Sequence, residues 1–249
     1  MGRPVDIGLM AQPIVPAMTL GVFGLIVADR LTRSTAPTLD ELGGAPVPER
    51  SRTAALAIAC FVPVVVAALW ATFMLTYFNL NRPVPQAWWY GTLPAGDVIA
   101  YYVAASVVAA YGGSILGVVS GRWLGWPGSP LVAAVLLVAV TIPFSGIVEV
   151  PRPVREIWPW TAWYGGDDGA GADTNYQGNP RWWLGYTLCL CVLGVIAALL
   201  RARDQPRRRL VFVAVVVGAV ALGLSVASMT TGPQQSRVSP PVLHLEQVR

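Results

Sequence analysis

Lysine is absent from this sequence: all 17 basic residues are arginine. Beside so much Ala, Gly, Val and Pro, that usage reads as a coding bias toward GC-rich codons, not as a mechanism. Charge as a whole is scarce, at 12% of residues against about 25% in soluble domains. There is one histidine, His244, in the tail, and no His-Glu-x-x-His, phosphate-binding loop or Ser/His/Asp set with members inside an apolar stretch. A membrane enzyme is therefore unsupported. The three cysteines, Cys60, Cys189 and Cys191, lack metal-ligand spacing. A Cys-x-Cys pair on a helix points its thiols about 200° apart, so the cysteines read as small buried residues. No metal and no cofactor are expected. Ionisable residues are also missing from the middle of every long apolar stretch. Proton- or sodium-coupled carriers keep such residues despite their cost, so any transport energy must come from another chain. The net charge of +4 is carried by arginines at stretch ends, where they snorkel and set topology. It gives no signal for a nucleic-acid partner.

What the chain does contain is six long apolar stretches, about Leu9–Ala28, Thr53–Phe78, Val98–Ser120, Pro130–Val148, Trp182–Leu200 and Leu210–Met229. Each is long enough, at about 1.5 Å per helical residue, to cross a hydrocarbon layer about 30 Å thick. A soluble core helix would carry a polar stripe at every third or fourth position, and these do not. Hydrophobic residues reach 55% of the chain and mean hydropathy is +0.57. The expected fold is all-α: a polytopic membrane protein with six transmembrane helices in a single domain spanning residues 1–249, with an outer tail at 230–249. No cleavable signal peptide is visible, because the first stretch ends in Asp-Arg without a small-residue cleavage site.

Orientation follows from alternate loops. Arg30, Arg33, Arg50, Arg52, Arg122, Arg201, Arg203, Arg207, Arg208 and Arg209 fall on one side, and seven arginines on the other. The denser set is concentrated in short loops and faces the cytoplasm by the positive-inside rule, which puts both termini outside. Eight of the thirteen acids then lie outside. The outer segments hold Trp88, Trp89, Tyr90, Trp158, Trp160, Trp163, Tyr164, Trp182 and Trp183, rings suited to headgroup depth. Val154–Tyr164 reads as a short interfacial or re-entrant helix. The loop after it carries Asp167, Asp168 and Asp173 but lacks the regular acidic spacing and closing Glu of a calcium loop, and so reads as a solvated loop. Gly113, Gly117 and Gly121 recur every fourth residue on the third stretch. This ridge of small residues suits close helix packing, inside the protein or against a second subunit. Pro63 and Pro143 should bend the second and fourth spans.

The most specific local feature is the loop from Asp29 to Thr53. Thr38 can cap a helix of one to two turns whose first turn holds Asp40 and Glu41, favourable at the positive helix end. Gly43 and Gly44 end it, and Pro46 and Pro48 forbid its continuation. Such a helix carries Leu39 and Leu42 on one side. The plain alternative is an ordinary capped linker. The run Pro37-Thr-Leu-Asp-Glu-Leu-Gly-Gly-Ala-Pro-Val-Pro-Glu-Arg50 resembles a cytoplasmic pattern of the permease subunits of type-2 ABC exporters, Gly-Thr-Leu-Glu-x-Leu-x-x-x-Pro followed by Val or Ile, Ser or Thr, and two Arg. Gly113–Pro130 is similar to the glycine-rich span of large actinobacterial members, with its Gly121-Arg-Trp-Leu ending. Trp182–Arg209 is similar to their Trp-Trp-Leu-x-Tyr-x-Leu and Ala-Leu-Leu-Arg-x-Arg segments.

The resemblance implies a multi-pass subunit of a bacterial cell membrane, actinobacterial in type. Thr38, Leu39, Asp40, Glu41 and Leu42 would form the coupling helix that docks on an ABC ATPase subunit. A second permease chain and membrane lipids would be the other partners, with ATP hydrolysis left to the ATPase. The implied cargo is amphipathic or lipid-like. The chain departs from the family pattern in lacking a leading cytoplasmic helix and span, which a partner could supply, and in adding Leu210–Met229 and the tail. Two readings follow: an exporter permease, or a non-transporting structural or regulatory subunit that keeps the permease form.

Overall fold

The computed structural model describes residues 3–6, 12–34, 49–80, 89–93, 95–142, 166–167, 173–175, 178–202, 207–231 and 236–238. Among the described residues six helices dominate: α1 (Ile14–Ser34), α2 (Glu49–Tyr77), α3 (Ala95–Trp123), α4 (Ser129–Ile142), α5 (Pro180–Leu200) and α6 (Arg207–Thr231). Five of these, all but α4, are long and apolar enough to cross a membrane. At about 1.5 Å per residue, α4 covers only about 21 Å as described. The remainder of the expected fourth span, Pro143 and the interfacial helix at 154–164 lie outside the described residues.

The helices show the faces of lipid-facing segments. Phe61, Val62, Val65, Leu69 and Phe73 of α2 are exposed, as are Phe212, Val215, Leu222 and Val226 of α6. Contiguous apolar surface on this scale is costly in water and normal in lipid.

Helix ends and breaks follow local chemistry. Asn179 caps α5: its side chain accepts from the Arg181 N–H at 3.1 Å, and Pro180 takes the first position, where no N–H is needed. The α2 helix is interrupted by a turn at Cys60. Pro63 has no N–H for the Ala59 carbonyl and crowds it, so the break sits where its ring predicts. Two stretches widen to π-helix, Ala17–Gly21 in α1 and Val103–Val108 in α3. The first follows Pro13 and Pro16.

Short extended segments pair outside the helices. β1 (Arg3–Asp6) is antiparallel to β2 (Trp89–Leu93). β3 (Gly166–Asp167), β4 (Asp173–Asn175) and β5 (Ser236–Val238) form an antiparallel set, with β5 also against β2. They bring the segments before α1, between α2 and α3, between α4 and α5, and after α6 to a common end of the helix bundle.

At that end the core is aromatic. Trp183 of α5 is fully buried and stacks on Tyr101 of α3, centroids 6.2 Å apart, while Tyr102 and Tyr186 fill the same cluster. Arg181 donates to Asp97 at 2.6 Å across the α5 and α3 starts. The Asn179 N–H donates to the Ser228 carbonyl at 2.9 Å, and the Ser228 hydroxyl returns a bond to the Asn179 carbonyl at 3.2 Å. These bonds tie the start of α5 to the end of α6.

Candidate functional site

Three features gather at the arginine-rich end and along α3. The first is the seam between α1 and α3. Gly113, Gly117 and Gly121 lie against α1 so closely that a Cβ on Gly113 would stand 2.7 Å from the Gly21 Cα. One on Gly117 would stand 2.8 Å from the Leu25 Cα and closer still to its carbonyl oxygen, and one on Gly121 2.8 Å from the Thr32 Cβ. Three turns of glycine at four-residue spacing thus let two backbones touch, the arrangement that drives helix association when lipid removes the hydrophobic term. Gly24 answers from α1, facing the Ser114 hydroxyl.

The second is an ionic knot at the end of that seam. The first span was expected to stop near Ala28, leaving Asp29 and Arg33 in a loop. The helix instead continues to Ser34 and carries both inward. Asp29 is fully buried. Its carboxylate accepts from the Arg33 Nε at 2.7 Å, from the Ser120 hydroxyl at 2.5 Å and from the Ser129 hydroxyl at 3.4 Å. Arg33 also donates to the Leu124 carbonyl at 2.6 Å, to the Trp126 carbonyl and to the Ser129 hydroxyl. A buried charge persists only when paired and hydrogen-bonded, and here one pair organises the whole turn from α3 into α4. A parallel clamp holds α2: Arg122 donates to Glu49 at 2.5 Å and to the Thr53 hydroxyl at 2.5 Å. Arg52 donates to the Thr32 carbonyl at 3.3 Å. The last turn of α1 and the first turn of α2 are therefore both fastened to α3.

The third is an apolar groove of about 360 Å³ between α3 and α5, which run in the same direction, Arg181 meeting Asp97 at their starts and Trp123 meeting Ala197 near their ends. Ala104, Val108, Ile115 and Val119 line one wall, and Leu190 and Ala197 belong to the other. Its polar atoms are satisfied by backbone: the Thr187 hydroxyl donates to the Leu184 carbonyl at 3.0 Å, and the Cys191 thiol to the Val108 carbonyl at 3.7 Å. Cys191 is thus a buried packing residue; Cys60 is buried as well, and Cys189 is half-buried. At the arginine-rich end the Trp123 Nε1 donates to the Ala197 carbonyl at 3.0 Å, and the Arg201 guanidinium lies 5.9 Å from the Trp123 ring.

Thr38, Leu39, Asp40, Glu41 and Leu42 lie outside the described residues. Among the described residues no group of three or more His, Cys, Asp or Glu could hold a metal ion. Sequence reasoning missed the knot because Ser120 and Ser129 are 91 and 100 residues from Asp29; only an acid four residues before an arginine hinted at a pair. No family model, curated protein or solved structure matches this chain.

Proposed function

We propose that this chain is the permease subunit of an ATP-driven exporter of the type-2 ABC class, in a bacterial cell membrane of actinobacterial type. It crosses the membrane six times with the arginine-rich end in the cytoplasm. An ABC ATPase subunit and a second permease chain are its partners, and it hydrolyses nothing itself. The observation that carries this reading is the mounting of the 35–48 segment. That segment holds the coupling-type pattern, and the residues on either side of it are clamped. It leaves α1 just after the Asp29–Arg33 knot and enters α2 at Glu49, held by Arg122. A push on a loop between two slack helix ends would be lost in local bending. A push on this one is delivered to α1, α2, α3 and the α3–α4 turn together, as rigid-body rocking requires. ATP-driven closure of the ATPase pair would press on Thr38–Gly44, and the helices would rock to move an amphipathic or lipid-like cargo at an interface between permease chains.

A second reading has one specific observation in its favour. The α1–α3 seam is backbone against backbone, which leaves no path for cargo between those helices and suits a non-transporting structural or regulatory subunit.

The double variant Leu39→Asp with Leu42→Asp separates the readings. Under the exporter reading the variant inserts and folds, loses the ATPase chain on purification, and no longer stimulates ATP hydrolysis or supports export. Retention of a full complement of ATPase with normal export would remove the docking role from this loop.

A further inference from the structure

The groove between α3 and α5 matches one hydrocarbon chain in depth and in wall chemistry, and it ends in a cationic mouth. From Ala104 to Val119 it covers about 22 Å along α3, and from Thr187 to Ala197 about 15 Å along α5, at 1.5 Å per residue. One leaflet of a bilayer is about 15 Å deep, half of a core of about 30 Å. The wall offers no free polar group, because the Thr187 hydroxyl and Cys191 thiol are spent on backbone carbonyls.

The mouth lies one helical turn beyond Val119 and Ala197. There Trp123 bridges to the Ala197 carbonyl, and the exposed Arg201 sits over its ring. Arg207, Arg208 and Arg209, also exposed, open the next helix. An indole at the interface with a guanidinium beside it is the chemistry that receives a phosphate-bearing head while the tail lies in the groove.

We propose that the α3–α5 groove binds one acyl chain of an anionic phospholipid drawn from the leaflet at the arginine-rich end, with its headgroup phosphate held by Arg201. This site does not depend on an ATPase partner: a lipid held there fills the lateral seam whether the chain transports or only assembles.

The test uses the full chain in nanodiscs containing a phosphatidylglycerol probe with a photoactivatable group in its acyl chain, beside a matched phosphatidylcholine probe. Peptides from 104–119 and 187–197 should carry the phosphatidylglycerol label several-fold above the phosphatidylcholine label. Arg201→Gln should lower phosphatidylglycerol labelling about fivefold, the worth of about 1 kcal/mol per surface arginine. Leu190→Trp should abolish groove labelling by filling the wall, whereas Leu222→Trp on the exposed face of α6 should leave it unchanged. The surface variant Arg201→Gln keeps the test decisive if the groove variant fails to fold. Equal labelling by both lipids with no loss in Arg201→Gln would overturn the proposal. So would label spread evenly over α2 and α6, or a cross-link through the groove to a second copy of the chain.

Discussion

Adding a single methyl group at Gly117 tests the bundle at its tightest point. The Cβ of Gly117→Ala would lie 2.8 Å from the Leu25 carbonyl carbon and Cα, where ordinary contact begins near 3.4 Å. The obstacles are backbone atoms inside a helix, so no side chain can rotate away. The Leu25 carbonyl oxygen lies nearer still, so the helices must separate by more than about 0.6 Å, and that separation propagates to Gly113 and Gly121 on the same ridge. Overpacking of this kind costs about 1–3 kcal/mol, and Gly117→Leu should cost more. The loss should also reach the Asp29–Ser120 bond, only three residues further along α3. Thermal unfolding of the purified chain in detergent gives the readout. Gly218→Ala on α6 is the matched control, since nothing lies within 4 Å of its added Cβ. It should be neutral or stabilising by up to about 1 kcal/mol, because alanine is the better helix former. A Gly117→Ala variant that melts with the wild type, or no differently from Gly218→Ala, would refute the close α1–α3 approach.

The knot gives a second expectation: Asp29→Ala leaves the part-buried Arg33 without its carboxylate and should destabilise by about 3 kcal/mol, the low end for a broken buried pair because Arg33 keeps contact with solvent. Ser120→Ala, which removes one bond to that carboxylate, should cost about 1.5–3 kcal/mol; both are read from thermal melts. Orientation is checked by cysteine labelling after the native cysteines are removed. Positions 34 and 205 should be protected from impermeant reagent in whole cells while position 169 reacts, and the reverse pattern would invert the topology.

The helices were legible because each lacks a polar stripe, a property of composition within a single stretch. The Pro63 break was legible for the same reason, since one missing N–H and one ring act on the preceding turn. Glycines at four-residue spacing announced a packing ridge, but not that α1 would be its partner, because nothing local to Gly117 specifies Leu25. Asp29 and Arg33 were the hardest to place. Charge near the end of an apolar run is ordinarily solvated, and only the long-range approach of Ser120 and Ser129, together with Arg33, lets Asp29 sit buried. The same holds for Glu49 and Arg52, read as loop residues and found in the first turns of α2, where Arg122 and the Thr32 carbonyl hold them. The α3–α5 groove was illegible for another reason: it is a gap between two smooth apolar faces, and an absence of side-chain volume leaves no pattern in either sequence segment. The two π-helical stretches likewise follow from no motif in Ala17–Gly21 or Val103–Val108.

The measurement that bears most directly on the function proposed here is a cross-link from the 35–48 segment in native membranes. A photoreactive amino acid at position 39 or 42, followed by purification and mass spectrometry, identifies what the loop touches. The account predicts an ATP-binding chain in stoichiometric amount, cross-linked at these positions and lost from the Leu39→Asp, Leu42→Asp variant. A stable, fully assembled chain whose loop cross-links only to its own helix ends, with no ATPase beside it, would contradict it.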